Sequence, residues 1–197
     1  YAPRSLSASR CGVFVGCAPG EYNQLMNRHG LNAQGFTGGA ASILAARIAY
    51  SLNLQGPCMA IDTACSASLV ALANACDSLA LGHSDLALAG GVYVMWGPSM
   101  HIQTSKAGML SPHGRCFSFD SRADGFVPGE GVGVVLLKRL ADAQRDGDPI
   151  QGVIRGWGIN QDGTTNGITA PSGESQSRLM REVYQRHDIN PEDIQLL

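Results

Sequence analysis

The stretch AIDTACSASLVAL, residues 60–72, decides how the rest of the chain is read. It begins inside a short apolar run, Cys58–Ile61, and passes through Asp62 and Thr63 to Cys65, which has Ala64, Ser66, Ala67 and Ser68 around it. The run reads as a strand. From Cys65 onward apolar residues fall at Leu69, Leu72, Cys76 and Leu79, the spacing of one helix face, and Gly82 supplies a stop. The thiol therefore lies where a strand hands over to a helix, with Asp62 or Thr63 placed to cap that helix. Free N–H groups at a helix start carry partial positive charge. Such a field stabilises a thiolate and can hold the oxyanion formed when the thiolate attacks a carbonyl. The small neighbours leave room for a substrate. This is the logic of the strand–turn–helix nucleophile elbow, with Cys in place of Ser. The competing reading is packing, because cysteine is among the most buried residue types. Spacing alone leaves both open for Cys65. For Cys58 and Cys76, on strand and helix faces, packing is the better reading, and Cys11, Cys17 and Cys116 show no activating context.

Working outward, the chain alternates strands and helices. CGVFVG (11–16), CMAID (58–62), DLALAGGVYVM (85–95), GVGVVLLKRL (131–140) and IQGVIRGWGI (150–159) read as five strands, and DIQLL (193–197) as the start of another. Thr37 to Leu54, with Leu44, Ile48 and Leu52 four residues apart, reads as a helix ended by Gln55-Gly56-Pro57. Ser175 to His187 reads as a further helix. The pattern predicts an α/β protein. The runs 58–61 and 85–89 are apolar at every position, as in strands covered by helices on both faces. Residues 97–130 show no clear period and are long for a loop, which points to function or to small elements.

Composition bounds the function classes. The 197 residues are 44% hydrophobic and 15% charged, with a net charge of −2 and only Lys106 and Lys138 as lysines. No basic face or polybasic run suggests nucleic acid or a membrane surface. No apolar run nears the roughly 20 residues a membrane helix needs, and the opening residues lack a signal-peptide core. Six cysteines occur without a CxxC pair, so a zinc site is not expected. Reduced thiols in a cytoplasmic protein are the expectation.

Two motif-like stretches are discounted. GEGVG (129–133) leads into a strand instead of from a strand into a helix, the wrong context for a dinucleotide site. NQDGTTNG (160–167) lacks the closing Glu and the alternating ligands of a calcium loop and reads as a turn. RDGDP (145–149) reads as a surface turn.

DTACSASLVAL resembles the active-site signature of β-ketoacyl synthases, and more closely that of ketosynthase domains in modular type I polyketide synthases. The resemblance extends over residues 37–72, LALAGGV (86–92), residues 110–140 and residues 152–176, in the family's order. It implies a thiolase-like layered α/β/α/β/α fold, of which residues 1–197 form a partial ketosynthase domain: the N-terminal half and the start of the C-terminal half. It implies Cys65 as the acyl-accepting nucleophile, with no cofactor bound by the domain itself and substrates arriving on the phosphopantetheine of acyl carrier protein. A malonyl-type extender would then condense with the Cys65 thioester. Expected partners are carrier-protein domains and a second copy of the chain, with residues 57–62 near the dimer contact. Residues His101 to Leu110 would help line the acyl pocket.

The family's two catalytic histidines belong to HGTGT and NIGH motifs, and neither motif occurs in this sequence. The segment alone is therefore expected not to condense. His29, His83, His101, His113 and His187 match no catalytic position; they read as solvated loop histidines, with His83 on the order of 25 Å from Cys65 by helix rise. A non-elongating ketosynthase, a chain-length-factor-like scaffold and another cysteine-nucleophile acyl hydrolase are the alternatives. Retention of Cys65 argues against the scaffold.

Overall fold

The computed structural model describes residues 1–20, 22–30 and 32–197. Its centre is β1 (Cys11–Cys17), whose seven residues are all buried. Parallel to it lie β2 (Cys58–Ile61) on one side and β3 (Leu86–Tyr93) on the other, and β4 (Gly131–Lys138) pairs antiparallel with β3. The order β2-β1-β3-β4 leaves β2 and β4 as edges.

Strand alternation divides the core into two layers. Cys11, Val13 and Val15 of β1, with Leu86 and Leu88 of β3, face Ala45, Ile48 and Leu52 of helix α3 (Ala41–Leu52). Phe14, Ala87 and Ala89 face the opposite way, onto Ala71, Ala75 and Leu79 of helix α4 (Ala67–Ala80). On that second face the alanines at 71, 75, 87 and 89 are fully buried. Small side chains on both partners let the helix lie close on the sheet. The expected α/β class holds, as helix, sheet and helix.

The helix predicted over 37–54 is two. Helix α1 (Tyr22–His29) precedes helix α2 (Ala33–Gly39), and an extended Ala40 (φ −83°, ψ 123°) separates α2 from α3. Asn53 ends α3 in the left-handed region at φ 52°, its N–H donating to the carbonyls of Ala49 and Tyr50, ahead of the predicted Gly-Pro stop. Gly82, at φ +73°, follows α4 as expected.

The irregular stretch 97–130 holds small elements, as expected: helix α5 (Ser99–Lys106) and an isolated bridge between Leu110 and Phe126. Other expectations fail. The run 58–61 is not covered on both sides: Cys58 and Met59 are exposed on the β2 edge. Residues 150–159 form no strand, nor do 193–197, which follow a 3-10 turn at Pro191–Asp193. A strand exists only as one side of a hydrogen-bonded ladder. Among the described residues no backbone hydrogen bond joins either run to another strand.

Beyond β4 and helix α6 (Leu140–Arg145), the chain is tied back by side chains. Helix α7 (Gly173–Arg186) starts at Ser172, whose hydroxyl accepts from the Ser175 N–H at 3.1 Å. Ser175 is buried, and Asn160 donates to its carbonyl at 2.9 Å. The Trp157 indole N–H reaches Asp77 of α4 at 2.8 Å. His187 is not a solvated loop residue: its ring lies 4.8 Å from that of Trp157.

Candidate active site

The turn after β2 is built to present one residue. Ala64 to Ser66 form a single 3-10 turn that runs directly into α4. Ala64 sits at φ +54°, a conformation that costs a residue with a Cβ roughly 1–2 kcal/mol. Polar side chains hold it there. The Asp62 carboxylate accepts from the Ala64 N–H at 3.0 Å, Ser66 Oγ donates to the Thr63 carbonyl at 3.0 Å, and the Thr63 and Ser66 hydroxyls lie 2.9 Å apart. Asp62 therefore caps the turn, while Thr63 makes no cap bond to a backbone N–H of the turn and Ser66 makes none to α4. Neither side chain therefore occupies the N–H groups of the first turn of α4, while the Ala67 N–H donates to the Ala64 carbonyl.

Cys65 is exposed and opens into a cavity of about 860 Å³. The walls come from the C-terminal ends of β1 and β3, Gly131, Gly133, Val134 and Val135 at the start of β4, the start of α4, Met100 of α5, and the segment from Phe126 to Gly129. No charged side chain is among the described residues that line it. A site at the carboxyl ends of parallel strands is where open α/β sheets bind ligands, and an uncharged wall suits an acyl chain.

A second thiol, Cys17, lines the same cavity. Burial pushes it up from the ordinary thiol value, and the negative charge of Asp62 adds to the shift. Burial also raises Cys11, Cys58 and Cys76. A thiol held protonated is a weak nucleophile, so these four are disfavoured. Cys116 lies outside the cavity lining and accepts from the Val127 N–H at 3.3 Å.

None of His29, His83, His101, His113 and His187 lines the cavity. His113 pairs with Asp124 at 3.5 Å on the surface. Residues His101 to Leu110 also stay out of the wall; α5 contributes its preceding residue, Met100. Cys17, Met100 and the Phe126–Gly129 segment went unread in the sequence. Their signal lay in the long aperiodic stretch and in the end of β1, where burial and cavity lining coincide.

The geometry defines an α/β protein with an exposed cysteine raised at the carboxyl edge of its sheet. Residues 1–143 match the model of the "Beta-ketoacyl synthase, N-terminal domain", and residues 151–197 that of the "Beta-ketoacyl synthase, C-terminal domain". The chain belongs to the β-ketoacyl synthase family. It is 50% identical over 194 residues to polyketide synthase PksL of Bacillus subtilis, covering 98% of this chain and 4% of that protein. Over 197 residues it is 47% identical to polyketide synthase GfsA of Streptomyces halstedii, covering 99% of this chain and 3% of that one. The solved ketosynthase from module 6 of the bacillaene synthase of Bacillus subtilis 168 superposes with a TM-score of 0.92 at 48% identity, over 98% of this chain and 33% of its own. A Streptomyces albus oxazolomycin ketosynthase domain gives 0.89 at 37% identity, over 98% and 34%. The fold is thus that of the thiolase-like ketosynthases, and the chain spans about a third of the solved ones.

Proposed function

We propose that residues 1–197 are the nucleophile-bearing part of a ketosynthase domain in a modular polyketide synthase, and that Cys65 carries the growing acyl chain. The Cys65 thiolate attacks the carbonyl of an acyl thioester on carrier-protein phosphopantetheine. The tetrahedral oxyanion is held by N–H groups at the helix start and collapses, expelling the phosphopantetheine thiolate and leaving an acyl-Cys65 thioester. A malonyl-type thioester then loses CO2. The resulting carbanion attacks the Cys65 thioester, Cys65 leaves as thiolate, and the product is a β-ketoacyl thioester two carbons longer. The histidines that serve the second step in the family lie in the HGTGT and NIGH motifs, absent from this sequence, so the condensing step belongs to the complete domain.

The observation that carries this reading is the exposed Cys65 on a pinned, left-handed elbow, opening into an uncharged cavity of about 860 Å³. Carrier-protein domains are the proposed partners. A second copy is the other, with the exposed β2 edge at Cys58 and Met59 as the proposed contact. A cytoplasmic location suits six free thiols. Among the described residues no helix is long and apolar enough to cross a membrane. The test is condensation by a complete ketosynthase domain containing residues 1–197, supplied with acyl and malonyl thioesters on carrier protein. A β-keto product from the wild type and none from Cys65→Ala is expected. Release of free acid without a condensed product would favour a hydrolase instead.

A further inference from the structure

We propose that Gly16 and Gly91 are positioning residues for Cys65: together they form a side-chain-free floor that sets how deep the nucleophile turn sits in the cavity. This rests on the assignment of Cys65 as acyl acceptor. Gly16 and Gly91 are register partners near the carboxyl ends of β1 and β3, and both line the cavity that Cys65 enters. The first turn of α4 rests on them. A Cβ on Gly16 would lie 2.4 Å from the Ala67 carbonyl carbon and 2.5 Å from the Ser68 nitrogen. A Cβ on Gly91 would lie 2.6 Å from Ser68 Cβ. Real Cβ contacts essentially never fall below 3.0 Å, so either methyl must push the start of α4 and the strand beneath it apart by several tenths of an ångström.

Further along the same interface the need disappears. Ala87 and Ala89 carry a Cβ and still pack on Ala71 and Ala75. Beneath Ala67 and Ser68, the residues that follow the 3-10 turn holding Cys65, the floor is bare on both paired strands, whereas the pairs Gly12–Ala87 and Phe14–Ala89 each carry a side chain. That turn has little slack, because Ala64 is already in the left-handed region and tied to Asp62. Movement of α4 at this point is passed to the thiol. Displacing a reacting group by a fraction of an ångström to 1 Å costs a rate factor on the order of 10 to 100.

The two contacts differ in kind, and this gives the test. The Gly91 clash is with a side-chain carbon, which Ser68→Gly removes. The Gly16 clash is with backbone, which no substitution removes. In the complete ketosynthase domain, the acylation rate of Cys65 from an acyl thioester is measured beside its alkylation rate by iodoacetamide, with alkylation of the exposed Cys116 as the internal reference. Gly91→Ala is expected to slow both Cys65 reactions about 10- to 100-fold while Cys116 keeps its rate. Adding Ser68→Gly should bring Gly91→Ala back to the rate of Ser68→Gly alone, and should leave Gly16→Ala slow. A folded Gly91→Ala protein reacting at the wild-type rate would overturn the proposal. So would a folded double variant that stays well below Ser68→Gly alone, a comparison that holds even if Gly91→Ala itself does not fold. Failure of the functional reading shows separately, as a wild type that takes no acyl group on Cys65, and the alkylation rates still report on the floor.

Discussion

β3 and residues 150–159 look alike as sequence and differ entirely as structure. DLALAGGVYVM and IQGVIRGWGI both read as apolar strands. β3 lies between β1 and β4, laddered on both sides, with Ala87 and Ala89 fully buried. Residues 150–159 have no ladder among the described residues, and Val153, Ile154 and Ile159 are exposed. What holds the second region is a set of side-chain ties: Trp157 to Asp77, Asn160 to Ser175, and His187 against Trp157. Cys65, the proposed nucleophile, is carried by the region whose packing is enforced from two faces. A catalytic turn needs a rigid support, and the double-faced core at β1 and β3 supplies one.

The largest effect should come from breaking the double-faced core. Phe14 is 1% exposed and packs among alanines of β3 and α4, which cannot collapse into the space it would leave. Phe14→Ala is expected to cost about 3–5 kcal/mol, read from chemical denaturation. A loss below about 1 kcal/mol would mean that the α4 face is less tightly packed than this structure shows.

A smaller effect should separate the two regions. Trp157→Phe removes the hydrogen bond to Asp77, for a cost of about 1 kcal/mol. Hydrogen exchange should quicken in α7 while β1 and β3 keep their protection. Equal loss of protection in both would show that they unfold as one unit.

The smallest effect concerns the junction after β4. Lys138 donates to Asp146 at 2.5 Å and Asp148 at 2.6 Å. These bonds raise the lysine above its ordinary range and hold both carboxylates below theirs. A carboxylate with a lowered pKa contributes stability that is present above its unfolded value, about 4, and is lost as pH falls through its folded value. The raised Lys138 contributes below its unfolded value, about 10.4, and loses that contribution only at more alkaline pH. Between these limits the contribution should be flat. Asp148→Asn should lower the melting temperature slightly at pH 7 and flatten its fall below pH 4. An unchanged acid limb would remove this junction as a source of acid sensitivity.

The contrast also explains what the sequence disclosed. β1, β3 and α4 were legible because each carries the pattern of a buried element and each found its partner; β4 carries a similar apolar run and found its ladder on β3, although Gly131 to Leu136 are exposed. The break at Ala40 was not legible, since it rests on one residue's backbone torsion in an Ala- and Gly-rich stretch. The missing strand at 150–159 was misread because an apolar run advertises burial and says nothing of the neighbour a ladder requires. At the site, Cys65 stood out by its strand-to-helix position. Cys17 and Phe126 did not, because lining a cavity is a property of the assembled ends of several elements.

The most direct measurement is the location of an acyl group after brief exposure of a complete ketosynthase domain containing residues 1–197 to an acyl thioester. Peptide mass mapping would score every cysteine, including Cys17 in the same cavity and the exposed Cys58 and Cys116. The elbow and cavity predict acyl mass on Cys65 alone, lost in Cys65→Ala. Acylation that stays with Cys17 or Cys58 in that variant, or never reaches Cys65 in the wild type, would contradict the assignment of the nucleophile.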